Sequence, residues 1–321
     1  MRVVTYDELT PEMETDRALI HLSAFGGVYP SRTVDIERRQ LNTLADYVGV
    51  FAVEGGHVLG QVFVQRIPYA FRDLRGTLSG IAAVGTRPDQ GRTGIARRLL
   101  TEVHRREREA GMEFAALWTN RSWGAHALYE QLGYRDVYAS PWVVRLSGKP
   151  SGRRGQAPGI RPGRSSDIPE IDDLHDRRYA GRYGYCRRPR GVGQVLVRLG
   201  YLHPSQNLLV ARRGRELVGY AHIDPNPWRV ICGELVGGSA AVRQALVHEV
   251  NRVAGERRAV FQHTLLSESP EIFRGRGYAS VPTGWYGMMG LDLAREWTTR
   301  EAIDRFATAD PRFVCLAGDR F

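Results

Sequence analysis

The sequence predicts an α+β fold present in two successive copies, and three observations carry that expectation. A strand-like apolar run at residues 80–84 leads through residues 88–100, PDQGRTGIARRLL, into a segment with Ile95, Leu99 and Val103 at helical spacing. Residues 48–53 and 58–64 alternate around Glu54-Gly55-Gly56-His57 as the two arms of a hairpin. That hairpin recurs: Ala52-x-x-Gly55-x-x-Val58-Leu59-Gly60 lines up without gaps on Ala211-x-x-Gly214-x-x-Leu217-Val218-Gly219, and a repeat of this length implies a second copy of the fold.

In chain order, residues 2–6 read as a strand, and Thr10-Pro11 followed by acidic residues starts a helix that Gly26-Gly27 stops. A second helix is expected at residues 31–44. His57, at the hairpin tip, reads as a solvated turn residue. A strand at 78–87 feeds the glycine-containing turn, and the helix from Gly94 to about Ala110 buries Ile95, Leu99, Leu100 and Val103 while turning Arg105, Arg106 and Arg108 outward. His104, among those charges, reads as a surface histidine. A strand at 113–119, a helix at 123–132 stopped by Gly133, and strands over 134–146 broken at Ser140-Pro141 complete the first copy. Residues 147–159 are rich in glycine, proline and serine and read as a linker. The expected division is therefore 1–146, a linker at 147–159, a second copy at 160–293, and a tail at 294–321 with a helix and an apolar strand, 313–317, that crosses back onto the first domain.

A chain of 321 residues with 42% hydrophobic and 25% charged residues has the composition of a soluble globular protein of two domains. No apolar run reaches the length of a membrane span and the N-terminus lacks the apolar stretch of a signal peptide, so a cytoplasmic location with no membrane partner is expected. Cys186, Cys232 and Cys315 lack metal-ligand spacing and read as buried free thiols, with no metal expected. The formal charge of +10 raises nucleic acid as a partner, but the arginines are scattered and no basic run carries interleaved aromatics, which favours a solvated basic surface.

The turn at 88–100 is an anion site by its physics. A helix start presents backbone N–H groups without partners and the positive end of the helix dipole. Gly91 and Gly94 let the backbone curl and a ligand approach, while Arg92, Arg97 and Arg98 add charge. Neither the lysine and hydroxyl of a Walker loop nor the three-glycine dinucleotide fingerprint is present, which points to a pyrophosphate held mostly by backbone.

Pro88, the step Gly94-Ile95-Ala96, the strand ending Leu117-Trp118-Thr119-Asn120, and Ala127-Leu128-Tyr129-Glu130-Gln131-Leu132-Gly133-Tyr134 together resemble the core of the GNAT superfamily of acyl-CoA-dependent N-acyltransferases. The family loop, Gln/Arg-x-x-Gly-x-Gly/Ala, places its first position on Gly91, with Gln90 one residue early, a departure that removes a side chain and keeps the backbone donors. The resemblance implies two tandem folds, each a mixed, mostly antiparallel sheet flanked by helices, with acetyl-CoA as co-substrate. It implies coenzyme contacts along Val84, Gly85 and Thr86, a phosphate loop of Gly91, Arg92, Thr93, Gly94, Ile95 and Ala96, and a further contact at Asn120. It also implies an acceptor groove lined by Phe25, Tyr29 and Tyr47, and Tyr129 as the acid that protonates the departing thiolate.

Transfer of an acetyl group to an amine also requires the amine to lose a proton. An amine of pKa about 10.4 is neutral once in roughly 2,500 at pH 7, a cost of about 4.6 kcal/mol. No carboxylate declares itself as the base: Asp46, Asp73, Glu130 and the terminal carboxylate of Phe321 are the candidates, and a water chain needs none of them. The second copy is shorter by fifteen residues between the hairpin and the Gly277-Tyr278 pair, an interval that in the first copy holds the strand, phosphate loop and helix, and Tyr129 falls on Phe273. A degenerate second copy and one coenzyme per chain are expected. A non-catalytic CoA-responsive binding protein and a basic nucleic-acid binder are the rival readings; the acceptor amine and the presence of a homo-oligomer are left open.

Overall fold

The computed structural model describes residues 1–26, 47–73, 75–146, 148, 159–188, 191–264, 272–273, 276–281 and 286–315. In chain order the elements are β1 (Arg2–Thr5), α1 (Met13–Phe25), β2 (Tyr47–Glu54), β3 (His57–Ala70), β4 (Arg75–Thr86), α2 (Ile95–Glu109), β5 (Phe114–Asn120), α3 (Gly124–Gln131), β6 (Arg135–Ala139) and β7 (Trp142–Arg145). They continue with β8 (Gly159–Pro162), α4 (Ile168–Tyr179), α5 (Val192–Arg198), α6 (Pro204–Asn207), β9 (Leu208–Arg213), β10 (Glu216–Pro225), β11 (Arg229–Gly237), α7 (Ala240–Ala254), β12 (Ala259–His263), β13 (Tyr278–Val281), β14 (Tyr286–Asp292) and α8 (Thr299–Phe306). The helix expected at 31–44, Tyr29 and Asp46 lie outside the described residues, as do most of the linker and Phe321.

Two seven-stranded sheets result, ordered β1-β2-β3-β4-β5-β14-β6 and β13-β7-β12-β11-β10-β9-β8. Each is antiparallel except for one internal parallel pair, β4 with β5 and β11 with β12. The repeated hairpin forms β2–β3 and β9–β10, and in both copies a third strand, a helix and a parallel strand follow it.

The compact units are not continuous in sequence: Met1–Tyr138 join Tyr286–Thr308, and Ala139–Trp285 form the other together with the described residues that follow Thr308. This differs from the expected boundaries at 146 and 293 because the copies exchange their last strands. β14 pairs with β5 from Tyr286↔Asn120 to Asp292↔Phe114, between β5 and β6, and β7 lies between β12 and β13. Met288, Met289 and Leu291 of β14 are all buried, the apolar pattern of a strand covered on both faces. In β7, Arg145 is 3% exposed; it donates to Asn251 Oδ1 at 3.0 Å and to the carbonyls of Gly148 and Gly255 at 2.9 and 3.3 Å. A buried guanidinium needs those acceptors, which holds β7 in its sheet.

One further expectation changes. Phe313 bridges to Tyr183, within the second unit and not onto the first. The second copy also keeps a strand and a fifteen-residue helix, β11 and α7. Its shortening falls within the expected interval, on the strand-to-helix connection, eight residues at 87–94 against two at 238–239, and on shorter strands.

A chain ended after residue 146 lacks β14, and with it three buried side chains each contributing about 1.5–3 kcal/mol, a loss comparable with the whole stability of a domain. Such a fragment is expected to show no cooperative thermal transition, whereas the full chain melts cooperatively; calorimetry of both decides it.

Candidate active site

The first sheet opens where two parallel strands part. Pairing between β4 and β5 runs from Leu78↔Phe114 to Ile81↔Leu117 and then stops. At the same level β4 shifts register against β3: Phe63 faces Ala82, Gln61 faces Gly85, and Ala83 and Val84 have no partner in either register. This bulge holds Ala83 at φ 46, a left-handed conformation that costs a non-glycine residue of order 1–3 kcal/mol. Val84 packs against the core under α2 and α3, which contains Ile95 and Tyr129, while Ala83 packs against the core under α1. The strand thus faces both layers with main-chain groups free of the ladder.

Beyond Thr86 the chain makes a short turn, Pro88–Gln90, and enters α2 through residues 91–94. Arg92 (φ 63) and Gly94 (φ 84) are left-handed, and alternation of this kind turns successive N–H groups to one side as an anion nest. Gly91 is different from its expected role: its φ is −60 and an added Cβ would make only ordinary contact with the Pro88 carbonyl at 3.6 Å. The left-handed duty falls on Arg92 instead. No side chain caps α2, and its first intrahelical bond is Arg98 N–H to the Gly94 carbonyl at 3.0 Å, so the N–H groups of Ile95, Ala96 and Arg97 precede the ladder. Thr93 Oγ1 donates to the Gln90 carbonyl at 2.7 Å, closing the loop on itself. Arg92, Thr93, Arg97 and Arg98 are exposed around it.

The loop is braced by a carboxylate that spacing along the sequence gives no hint of. Asp16 on α1, 8% exposed, accepts from Val58 N–H at 3.0 Å and Arg87 Nη1 at 3.4 Å and meets His57 Nδ1 at 3.1 Å. Arg87 in turn grips Asp89 at 2.6 and 2.7 Å, and that guanidinium holds the Asp89 carboxyl down at about 2. His57 is therefore tied to α1, although its side chain remains largely exposed. Ile20 and Phe25 on α1 lie over Gly85, where a Cβ would come within 2.7 Å of Ile20; glycine is required there by close approach. Arg17 is buried at 2% exposure with its guanidinium 5.1 to 6.0 Å from the rings of Tyr6, Phe51 and Phe63.

Tyr129 sits on α3 at 6% exposure, and burial pushes its phenol up to about 12. Its ring meets Tyr134 edge-on at 5.8 Å. Tyr134, fully buried, bonds His104 Nε2 through its hydroxyl at 2.9 Å. His104 is thus 7% exposed and not the surface residue expected; the helical face was read one position wrongly, because a polar side chain with a buried partner sits on the apolar stripe. Burial, with Arg108 adding to it, lowers His104 to about 4. Asn120, expected on the coenzyme arm, uses its Oδ1 locally, accepting from Ser122 N–H at 2.9 Å and Ser122 Oγ at 2.7 Å. Asp73 pairs with Arg305 at 3.4 Å and Glu130 is an exposed partner of His126 at 3.5 Å, ordinary surface roles. Among the described residues no group of His, Cys, Asp and Glu could hold a metal ion, and no helix is long and apolar enough to cross a membrane.

The equivalent region of the second unit is built differently. Gly238 N–H bonds the Val218 carbonyl at 3.0 Å, and Ser239 caps α7 by accepting Val242 N–H at 3.3 Å, so the helix start has its own partner. A 390 Å³ hollow beside Gly238 is lined by Glu170, Asp173 and Glu216 with Arg177. Glu234, 2% exposed on β11, is bonded by Tyr220 and by Arg188 at 2.8 Å, which fills the level where β11 leaves β12. Phe273 packs on Tyr278 at 5.2 Å as Tyr129 packs on Tyr134, without a hydroxyl.

Residues 5–137 match the family model described as Acetyltransferase (GNAT) domain. Among solved structures, a probable N-acyltransferase from Enterococcus faecalis V583 is similar at TM-score 0.67 and 13% identity, covering 91% of this chain and 72% of that one. A GCN5-related N-acetyltransferase from Kribbella flavida is similar at TM-score 0.63 and 19% identity over 90% and 70%, and Eis1 from Mycobacterium abscessus at TM-score 0.59 and 14% identity over 92% and 74%. At these identities the likeness is one of fold. No curated protein matches the chain.

His104 generates a pH dependence of stability. Its folded pKa, about 4, lies below the unfolded value of 6.5, so the unfolded chain binds the extra proton between them and stability falls as pH drops from 6.5 toward 4, by about 3 kcal/mol in full. His104→Gln keeps an acceptor for Tyr134 and removes the titration; its melting temperature is expected to fall less steeply over that window than that of the wild type in scanning calorimetry.

Proposed function

Since residues 5–137 match the GNAT acetyltransferase family model, we propose that this chain moves an acetyl group from acetyl-CoA to a primary amine, and that only the first unit does so. The observation that carries the reading is the uncapped, arginine-rimmed nest at the start of α2, which shares one core with Val84 of the bulged strand and with Tyr129.

The coenzyme's pyrophosphate would take the N–H groups of the loop Gly91, Arg92, Thr93, Gly94, Ile95 and Ala96, where the dipole and the arginines favour negative charge. Its amide arm would pair with the main chain of Val84, Gly85 and Thr86, strand edge left open by the parting of β4 and β5. Asn120 would join only through its amide nitrogen, because its oxygen is engaged by Ser122.

Once the amine has attacked the thioester carbonyl, the tetrahedral intermediate collapses with loss of the thiolate, and Tyr129 would protonate it. With the phenol near 12 and a thiol near 8.5, full transfer is uphill by about 5 kcal/mol before contact with the thiolate, steeper than an unperturbed phenol implies. The same burial keeps the phenol a donor at every physiological pH, so its hydrogen bond to the developing charge is always available. The amine's proton leaves through water or to a carboxylate.

The second unit supports folding and not coenzyme binding in this reading. Its helix start is capped, its hollow is acidic where phosphates would lie, and Phe273 has no proton to give.

Tyr129→Phe is expected to lower kcat by about 10²-fold with little change in acetyl-CoA affinity, read as CoA-thiol release against a panel of amines. Undiminished turnover would remove Tyr129 from the chemistry. Titration calorimetry is expected to give one acetyl-CoA per chain; a stoichiometry of two would place a working site in the second unit.

A further inference from the structure

The bulge of β4 is held from the neighbouring strand. Gln61 of β3 is fully buried, and its Nε2 donates to the Ala83 carbonyl at 3.3 Å. This is the residue whose left-handed φ takes Ala83 and Val84 out of register with β3. Without that bond the Ala83 carbonyl has no ladder partner, and an extended conformation at Ala83 would relieve its strain. The other end of the same amide, Oε1, is buried and has no hydrogen-bond partner among the described residues. A glutamine is a poor choice for stability at such a point, since a buried acceptor left unsatisfied is costly where an apolar side chain of the same shape is not.

The second copy supplies the control. By the hairpin alignment Gln61 corresponds to Tyr220, whose hydroxyl bonds Glu234. There the register shift falls one pair further on, between His222 and Ile223, and no residue of β11 has a positive φ. Where the amide is missing, the strained conformation is missing too.

We infer that Gln61 is a positioning residue for the acetyl transfer: by donating to the Ala83 carbonyl it keeps Ala83 left-handed and so holds the Val84 main chain aimed into the gap between β4 and β5, where the coenzyme's arm and thioester are received. The inference rests on the function proposed above and adds a residue that never touches the substrate. It assigns the buried, half-satisfied amide to geometry that serves the reaction at the expense of stability.

Gln61→Met in the full chain, close in volume and without the donor, separates this role from a structural one. The expected result is a melting temperature equal to or above that of the wild type, amide hydrogen exchange over residues 82–85 at least about tenfold faster in the absence of coenzyme, and a kcat at least about tenfold lower with KM for acetyl-CoA changed less. Exchange over 82–85 equal to that of the wild type would overturn the inference, as would a kcat that falls only in proportion to a loss of folded protein. Should the wild type acetylate no amine, the proposed function fails and the exchange measurement still decides what Gln61 does. Should Tyr129→Phe be inert while Gln61→Met turns over normally, the inference fails alone.

Discussion

The parting of β4 from β5 beyond Ile81 and Leu117 is the constraint on which the rest of the first unit depends. A buried strand edge is expensive unless something satisfies it, and a parallel pair that stops after four residues leaves such an edge in the middle of a sheet. Everything around it answers that cost. The bulge turns Ala83 and Val84 off the β3 ladder, Gln61 takes one carbonyl, Gly85 lets α1 close over the back, and α2 starts with its donors turned outward. Where the second unit has the same parting, a salt-bridged glutamate and a capped helix close it. The two copies show one topological problem met in two ways, with main-chain donors left outward in the first unit and with side-chain partners in the second.

Electrostatics sorts the two solutions. The head of α2 has three exposed arginines and no capping carboxylate, and Asp16 and Asp89 beside the loop are already gripped by Arg87. The head of α7 faces Glu170, Asp173 and Glu216 together with Arg177, and Glu170 is paired with Arg212 at 2.6 Å. An anion would meet uncapped N–H groups beside arginines at the one helix start and a capped start in a mixed-charge hollow at the other, a distinction that lies in the two connections and needs no difference in fold.

How much was legible in the sequence follows from how local each signal was. The glycine turn before α2, the hairpins and the helix that carries Tyr129 lie in contiguous motifs whose periodicity and glycine positions read directly. Asp16, Arg87 and His57 are joined only in space, and Asp16 looks like any acid in the first turn of a helix. Gln61 sits in an apolar strand where one polar residue passes for a solvent-facing position, and His104 passes for a charge on the outer face of α2. The division into 1–146 and 160–293 followed chain order because β7 and β14 have the composition of ordinary terminal strands; nothing local in either names the sheet it joins. The deletion in the second copy was counted and assigned to the right interval, but the count alone does not say how it divides, since fifteen missing residues can come from one loop or from several elements trimmed together.

The exchange of strands sets a schedule for synthesis. Residue 145 leaves the ribosome long before residue 292, and at ordinary elongation rates the interval is roughly 7 to 30 s. Throughout it β5 and β6 are without the strand that belongs between them, and their edges can pair with any extended chain that passes. The N-terminal sheet is therefore the first begun and among the last closed. Its complete sheet cannot exist on a nascent chain that has not yet made β14, so an interrupted translation leaves the first unit unfinished, and a holding chaperone would find its client in the half-built first sheet.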